Sequence, residues 1–187
     1  MATNIEWKAR TYDAKHQGFL AEQLAGTGPK LLDQVDTFFC VPNGRLKLRQ
    51  FGPGQGELIY YVRRDRAGPK QSDYWISRTA EPDLLRTVLG QALGVRGEVR
   101  KRRALYRVDQ SRIHVDDVDG LGTFLEVEVV LTSRQDSADG KRIAEDLQKK
   151  LKVRNEDLIE EAYLDLLLQQ SQERDRAQFT SGRKTKA

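Results

Sequence analysis

Charged and apolar residues alternate with a period of two along much of the chain, interrupted by four stretches with helical spacing. In a strand, alternate side chains share a face. The pattern predicts a first strand over 4–10 and then a helix from an Asp13 N-cap through Leu24, ended by Gly26. After Gly28 and Pro29, VDTFFCV reads as a strand, and Asn43–Gly44 as a hairpin turn into RLKLRQF. ELIYYVRR and SDYWISR extend the sheet on either side of a Gly68–Pro69 break. Residues 81–93 form a helix with Pro82 in its first turn. VRKRRALYRV, SRIHVDDV and TFLEVEVVL follow as strands, with Gly120 and Gly122 in a hairpin turn. Two helices close the order, one capped by Ser137 and running to about 151, the other over 156–170 with Leu158, Ile159, Ala162 and Leu166 on one side.

Several of these strands are two-faced. Asn4, Glu6 and Lys8 oppose Ile5 and Trp7; Arg45, Lys47 and Arg49 oppose Leu46 and Leu48. Arg112, His114 and Asp116 oppose Ile113 and Val115; Phe124, Glu126 and Glu128 oppose Leu125, Val127 and Val129. Lys101 and Arg103 share a phase with Val99, and strand phase adds Arg63. For one strand, a solvated face is a sufficient explanation. For the set it is not, because the helices need an apolar sheet face to pack on. Closing the sheet into a barrel then turns the charges inward. Burying them costs several kcal/mol per ion unless partners or a ligand compensate. Eight cations (Lys8, Arg45, Lys47, Arg49, Arg63, Lys101, Arg103, Arg112) face four anions (Glu6, Asp116, Glu126, Glu128), a surplus of four that suits a triphosphate.

Composition narrows the partner. The net charge is +4, but residues 174–187 alone hold five bases and one acid, leaving 27 of each sign in 1–173. The basicity therefore belongs to the tail, which is expected to be a disordered extension of a single domain over 1–173, and it argues against nucleic acid as the partner. No apolar run approaches the roughly 18 residues a membrane span requires. With no apolar signal core in MATNIEWKAR and a lone Cys40, a reducing, cytoplasmic setting is expected. Cys40, Trp7, Trp75 and Tyr163 are read as packing residues, with both tryptophans under helices, His16 as exposed, and His114 as a hydrogen-bonded structural histidine.

Glu6 and Lys8 in NIEWK, followed in order by QVDTFF, GRLKLR, VRKRRALY, RIHVDDVDGLGTFLEVE and AYLDLLL, resemble the CYTH superfamily, the triphosphate tunnel metalloenzymes. The resemblance spans about 1–170 and is closest to the class IV adenylyl cyclase branch. It implies an α+β fold: an eight-stranded antiparallel β-barrel, a tunnel open at both ends, with peripheral helices. It also implies a divalent-metal-dependent enzyme. Glu6, Asp116, Glu126 and Glu128 would hold Mg²⁺ or Mn²⁺, while Lys8, Lys47, Arg49, Lys101, Arg103 and Arg112 clamp phosphates, joined by Arg45 and Arg63 from strand phase. Glu6, Lys8 and Glu128 would act in catalysis. The family's first glutamate is Asn4 here, which implies weaker binding of a second metal. Expected substrates are ATP, thiamine triphosphate or tripolyphosphate. Triphosphate hydrolysis is the leading reading, with adenylyl cyclase and a non-catalytic polyphosphate or nucleotide binder as alternatives.

Overall fold

The computed structural model describes residues 1–63 and 67–181. Arg64 of ELIYYVRR and residues 182–187 of the expected tail lie outside the described residues. The elements are β1 (Ala2–Arg10), α1 (Ala14–Ala25), β2 (Lys30–Phe39), β3 (Arg45–Gly52), β4 (Gln55–Arg63), β5 (Lys70–Thr79), α2 (Pro82–Leu93), β6 (Val95–Val108), β7 (Ser111–Val118), β8 (Gly122–Val130), α3 (Ser137–Lys150), β9 (Leu158–Ile159) and α4 (Tyr163–Ser181).

Eight long antiparallel strands run in the order β5-β4-β3-β2-β6-β7-β8-β1, and pairing of β1 with β5 closes the barrel. Strand β1 is shared along its length. Its first half, Ala2 to Glu6, pairs with β5, and Lys8 and Ala9 pair with β9.

The outward face of β1, β7 and β8 is apolar because Ile5, Trp7, Ala9, Ile113, Leu125, Val127 and Val129 all point to it. They pack under α1 and α3, represented by Ala21, Ala144, Leu147 and Leu151. Trp7 satisfies its ring N–H by donating to the Ala144 carbonyl at 2.8 Å. Helix α3 comes this close because Gly140 has no side chain; a Cβ there would lie 2.5 Å from Ile5. Trp75 takes a different position from Trp7. It is 45% exposed and leans on Tyr60 at 5.7 Å between ring centroids instead of lying under a helix. Cys40 is exposed rather than packed.

Local signals explain the helix ends. Asp13 accepts from the His16 backbone N–H at 2.9 Å, and Gly26 ends α1 at φ 67°. In α3 the cap is Asp136, not Ser137. Its carboxylate accepts from Ala138 and Asp139 N–H, and Asp139 reaches back to the Asp136 N–H.

The largest departure from the expected elements follows α3. Leu158 and Ile159 form the short β9 instead of opening a helix, because β1 offers them an unpaired edge at Lys8 and Ala9. Helix α4 starts only at Tyr163 and runs to Ser181, past the expected end at 170 and into the segment read as tail.

Helix α4 also changes the shape of the barrel. Phe38, Val99, Val118, Phe124, Tyr163 and Leu164 form a second buried cluster at one end. Gly97 admits the helix, since a Cβ there would meet Leu164 at 2.6 Å. Side chains of α4 therefore pack across that end of the eight-stranded barrel.

Candidate active site

The interior cavity has a volume of about 1100 Å³, large enough for a nucleotide-sized ligand. Ala162 and Tyr163 line it beside α4, and the exposed Lys30, Gln55, Arg78 and Arg107 also contribute to its lining. Its walls follow the strand phase read from the sequence. Glu6, Lys8, Lys47, Arg49, Arg63, Lys101, Arg103, Arg112, Glu126 and Glu128 all line it. Two expected members do not. Arg45 has the right phase but sits at the α4 end, where its guanidinium bonds Asp165 of α4 at 2.9 Å. Asp116 lies behind the wall, fully buried, accepting from Arg103 through both oxygens and from the Tyr163 hydroxyl at 3.0 Å. A carboxylate so occupied is a support for Arg103 rather than an open metal ligand.

The sequence reading missed Asp36. It lies in β2 between the apolar neighbours of VDTFF, in phase with Gln34 and Phe38, and is 1% exposed. Arg49 donates to both its oxygens at 2.8 and 2.9 Å, and Lys47 and Lys101 each reach it at 3.1 Å. Burial alone would raise its carboxyl, but Arg49, Lys101 and Lys47 together hold it well below the usual range. The two-residue alternation of β2 puts Asp36 on the inner face, but the cations that converge on it come from neighbouring strands through the register.

The other charges pair across the chamber. Arg63 donates to Glu6 at 2.7 Å, Arg112 pairs with Glu128 at 2.6 Å, and Lys8 approaches Glu126 at 3.5 Å. Lys8 also lies 3.8 Å above the Tyr163 ring, so that residue contributes a cation–π face as well as packing. With Asp36 included and Arg45 removed, the ion-pair network among the described residues holds seven cations and five anions. The surplus is two, not four.

Position in this lattice sets each group's proton affinity. Burial, partly offset by Arg63 and reinforced by Glu126 and Glu128, raises the Glu6 carboxyl. Against the effect of burial, Lys8, His114 and Arg103 hold Glu126 well below its ordinary range, and His114 and Arg112 lower Glu128. Burial and the charge of Arg103 lower His114, which favours its neutral form. Because ionised Glu126 can only accept, His114 Nδ1 carries the proton and donates to it at 3.4 Å, leaving Nε2 as a lone pair. Burial is also the main reason Lys101 is lowered to about 7. Lys70, buried outside the cavity wall with its ammonium on the Glu160 carbonyl, is lowered to about 8 by burial and then by Arg63 and Lys8.

One ligand atom from each of His114, Glu126 and Glu128 lies within 4.8 Å of the others. Two ionised carboxylates and a neutral imidazole are a chemically suitable donor set for a divalent cation. Glu6 stands next to this group, directly opposite Glu128 in the β1–β8 register. Asn4 lies two residues further along β1, opposite Val130. With its amide nitrogen turned toward Glu6, it donates to Glu6 at 3.3 Å and to the Ser72 carbonyl at 3.2 Å.

Comparison with known proteins agrees with this architecture. The chain resembles the PH1012 protein of Pyrococcus horikoshii, with TM-score 0.77 and 24% identity over 87% of this chain and 98% of that one. It also resembles a candidate adenylate cyclase from Vibrio parahaemolyticus (TM-score 0.71, 17% identity, 88% and 97% covered). A third similar structure is a candidate adenylyl cyclase from Hippeastrum with a dominant triphosphatase activity (TM-score 0.61, 17% identity, 87% and 91% covered). No curated protein matches in sequence. The CYTH domain matches residues 2–163, most of the described chain, and the protein belongs to the CYTH domain family.

Proposed function

We propose that this protein is a divalent-metal-dependent triphosphatase that cleaves the terminal phosphoryl group of a nucleotide or other triphosphate bound inside the barrel. The observation that carries this reading is the surplus of two cations in the ion-pair network around the cavity, facing the His114, Glu126 and Glu128 cluster. A polyanion with about four negative charges is matched when one divalent ion joins that surplus. His114, Glu126 and Glu128 would hold the ion, with Glu6 beside them. When bound, it supplies Lewis-acid polarisation of a phosphoryl oxygen.

The protein's own groups do the rest by positioning and charge neutralisation. Arginine forks from Arg49, Arg63 and Arg112 orient phosphate oxygens, and Lys47 and Lys101 add point charges. In hydrolysis a water oxygen bonds the terminal phosphorus while the bond from that phosphorus to the bridging oxygen breaks. Glu6 is suited to accept the water's proton, because a raised carboxyl is the stronger base. Glu128, held ionised, orients the water, and Lys8 and Arg103 neutralise the charge that develops on the bridging oxygen of the departing diphosphate.

Cyclisation of ATP is the second reading, favoured by the apolar side chains Leu32, Phe51, Ile76 and Leu105 along the outer part of the cavity, which could receive a nucleoside. Incubation with Mg²⁺ or Mn²⁺ and ATP, thiamine triphosphate or tripolyphosphate separates the two. Orthophosphate release is the expected result and is lost in Glu126→Gln. Cyclic AMP with pyrophosphate would establish the cyclase instead, and tight binding without any product would establish a non-catalytic binder.

A further inference from the structure

Asp36 has no obvious use in the reaction, yet it occupies a commanding position. Three cations from two strands converge on its carboxylate: Arg49 through two hydrogen bonds, Lys47 and Lys101 through one each. The strand register brings these residues together on one face. Asp36 is directly opposite Arg49 on β3 and opposite Val99 on β6, so Lys47 and Lys101 flank it on the same face. All three cations line the cavity, while Asp36 itself is 1% exposed at its floor.

We infer that Asp36 is an internal counter-anion that competes with the bound polyphosphate for Lys47, Arg49 and Lys101, and so limits how tightly the chamber holds substrate and product. The inference rests on the polyphosphate reading above. In the empty chamber the carboxylate holds the three cations in place and prevents their mutual repulsion from spreading them. When a phosphoryl group arrives, it must share these donors with a negative charge that cannot leave. Binding is therefore weaker than three free cations would give. That is useful to a catalyst, because uniform tight binding of substrate and product adds nothing to turnover.

A purely structural role and this competitive one predict opposite effects on binding. Calorimetric titration with tripolyphosphate in metal-free buffer at fixed salt distinguishes them. Asp36→Asn should bind tripolyphosphate about tenfold tighter than wild type, because one repulsive charge at a few ångströms has been removed. Unchanged or weaker binding by a folded Asp36→Asn protein would overturn the inference. Should that variant not fold, the charge-balanced double variant Asp36→Asn with Lys101→Met provides the test. Lys101→Met alone should bind about tenfold more weakly than wild type, and adding Asp36→Asn should restore affinity to within about threefold. A double variant as weak as the single one would overturn the inference. Failure of wild type to bind tripolyphosphate at all would instead overturn the polyphosphate reading on which it rests.

Discussion

Arg103 donates through Nε and one terminal nitrogen to the two oxygens of Asp116, at 2.7 and 2.6 Å, and the same terminal nitrogen reaches Glu126 at 2.8 Å. Asp116 thus fixes the guanidinium that in turn holds Glu126 at the cluster suited to a metal. Tyr163, the first residue of α4, donates to the same carboxylate, tying the helix at one end of the barrel to the wall of the site.

Asp116 therefore acts on stability more than on metal binding. Asp116→Asn should destabilise the fold by about 3–5 kcal/mol in urea unfolding, the usual cost of breaking a buried ion pair. The Mn²⁺ affinity of the folded variant should change by no more than about threefold, and that of Glu126→Gln should fall at least about tenfold. Equal losses of metal affinity in the two variants would return Asp116 to the ligand set.

Much of this site is legible in the sequence because side-chain direction in a strand has a period of two. The phases of β1, β6, β7 and β8 place Glu6, Lys101, Arg103, Arg112, His114, Glu126 and Glu128 without any knowledge of strand order. Phase cannot say where along the barrel a residue falls. Arg45 shares a face with Lys47 and Arg49 but lies at the end occupied by α4, so Asp165 takes its charge. Asp36 was hidden for a different reason. It is a single carboxylate in an aromatic and β-branched strand, and its importance comes from cations on two neighbouring strands that only the register brings together. Helix α4 was misplaced because Leu158 and Ile159 fit a helical period, and their pairing with β1 is a tertiary choice.

Asn4 sets the charge beside Glu6. An amide that donates to Glu6 brings no negative charge of its own to a second cation. Asn4→Glu should add a carboxylate there and tighten the weaker phase of a Mn²⁺ titration by about tenfold. Calorimetry would detect it as a second, stronger binding event, and an unchanged isotherm would show that this position takes no part in metal binding.

Lys101 should give binding a dependence on pH. Burial, with the nearby charges of Arg103 and Arg49, lowers it to about 7 despite Asp36. It is therefore cationic below that value and increasingly neutral above it. A bound polyanion favours the charged form, so tripolyphosphate binding at pH 8 should take up a proton, and affinity should fall by about tenfold from pH 6.5 to 8.5 relative to Lys101→Arg, whose guanidinium stays charged. Titration in buffers of different ionisation enthalpy measures that proton directly. The same shift has the opposite effect on the empty protein. Between about 7 and the ordinary 10.5 the unfolded chain binds a proton that the folded one does not, so this lysine contributes increasing stability as pH rises through that window. Identical proton uptake in wild type and Lys101→Arg would remove Lys101 from the explanation.

The most direct measurement is a crystal structure of the protein with Mn²⁺ and tripolyphosphate, using anomalous scattering to locate the metal. The account predicts one strong Mn²⁺ peak beside His114, Glu126 and Glu128, with the polyphosphate inside the barrel against Lys47, Arg49 and Lys101. Ligand found only on the outer surface, or a metal bound away from those three residues, would contradict it.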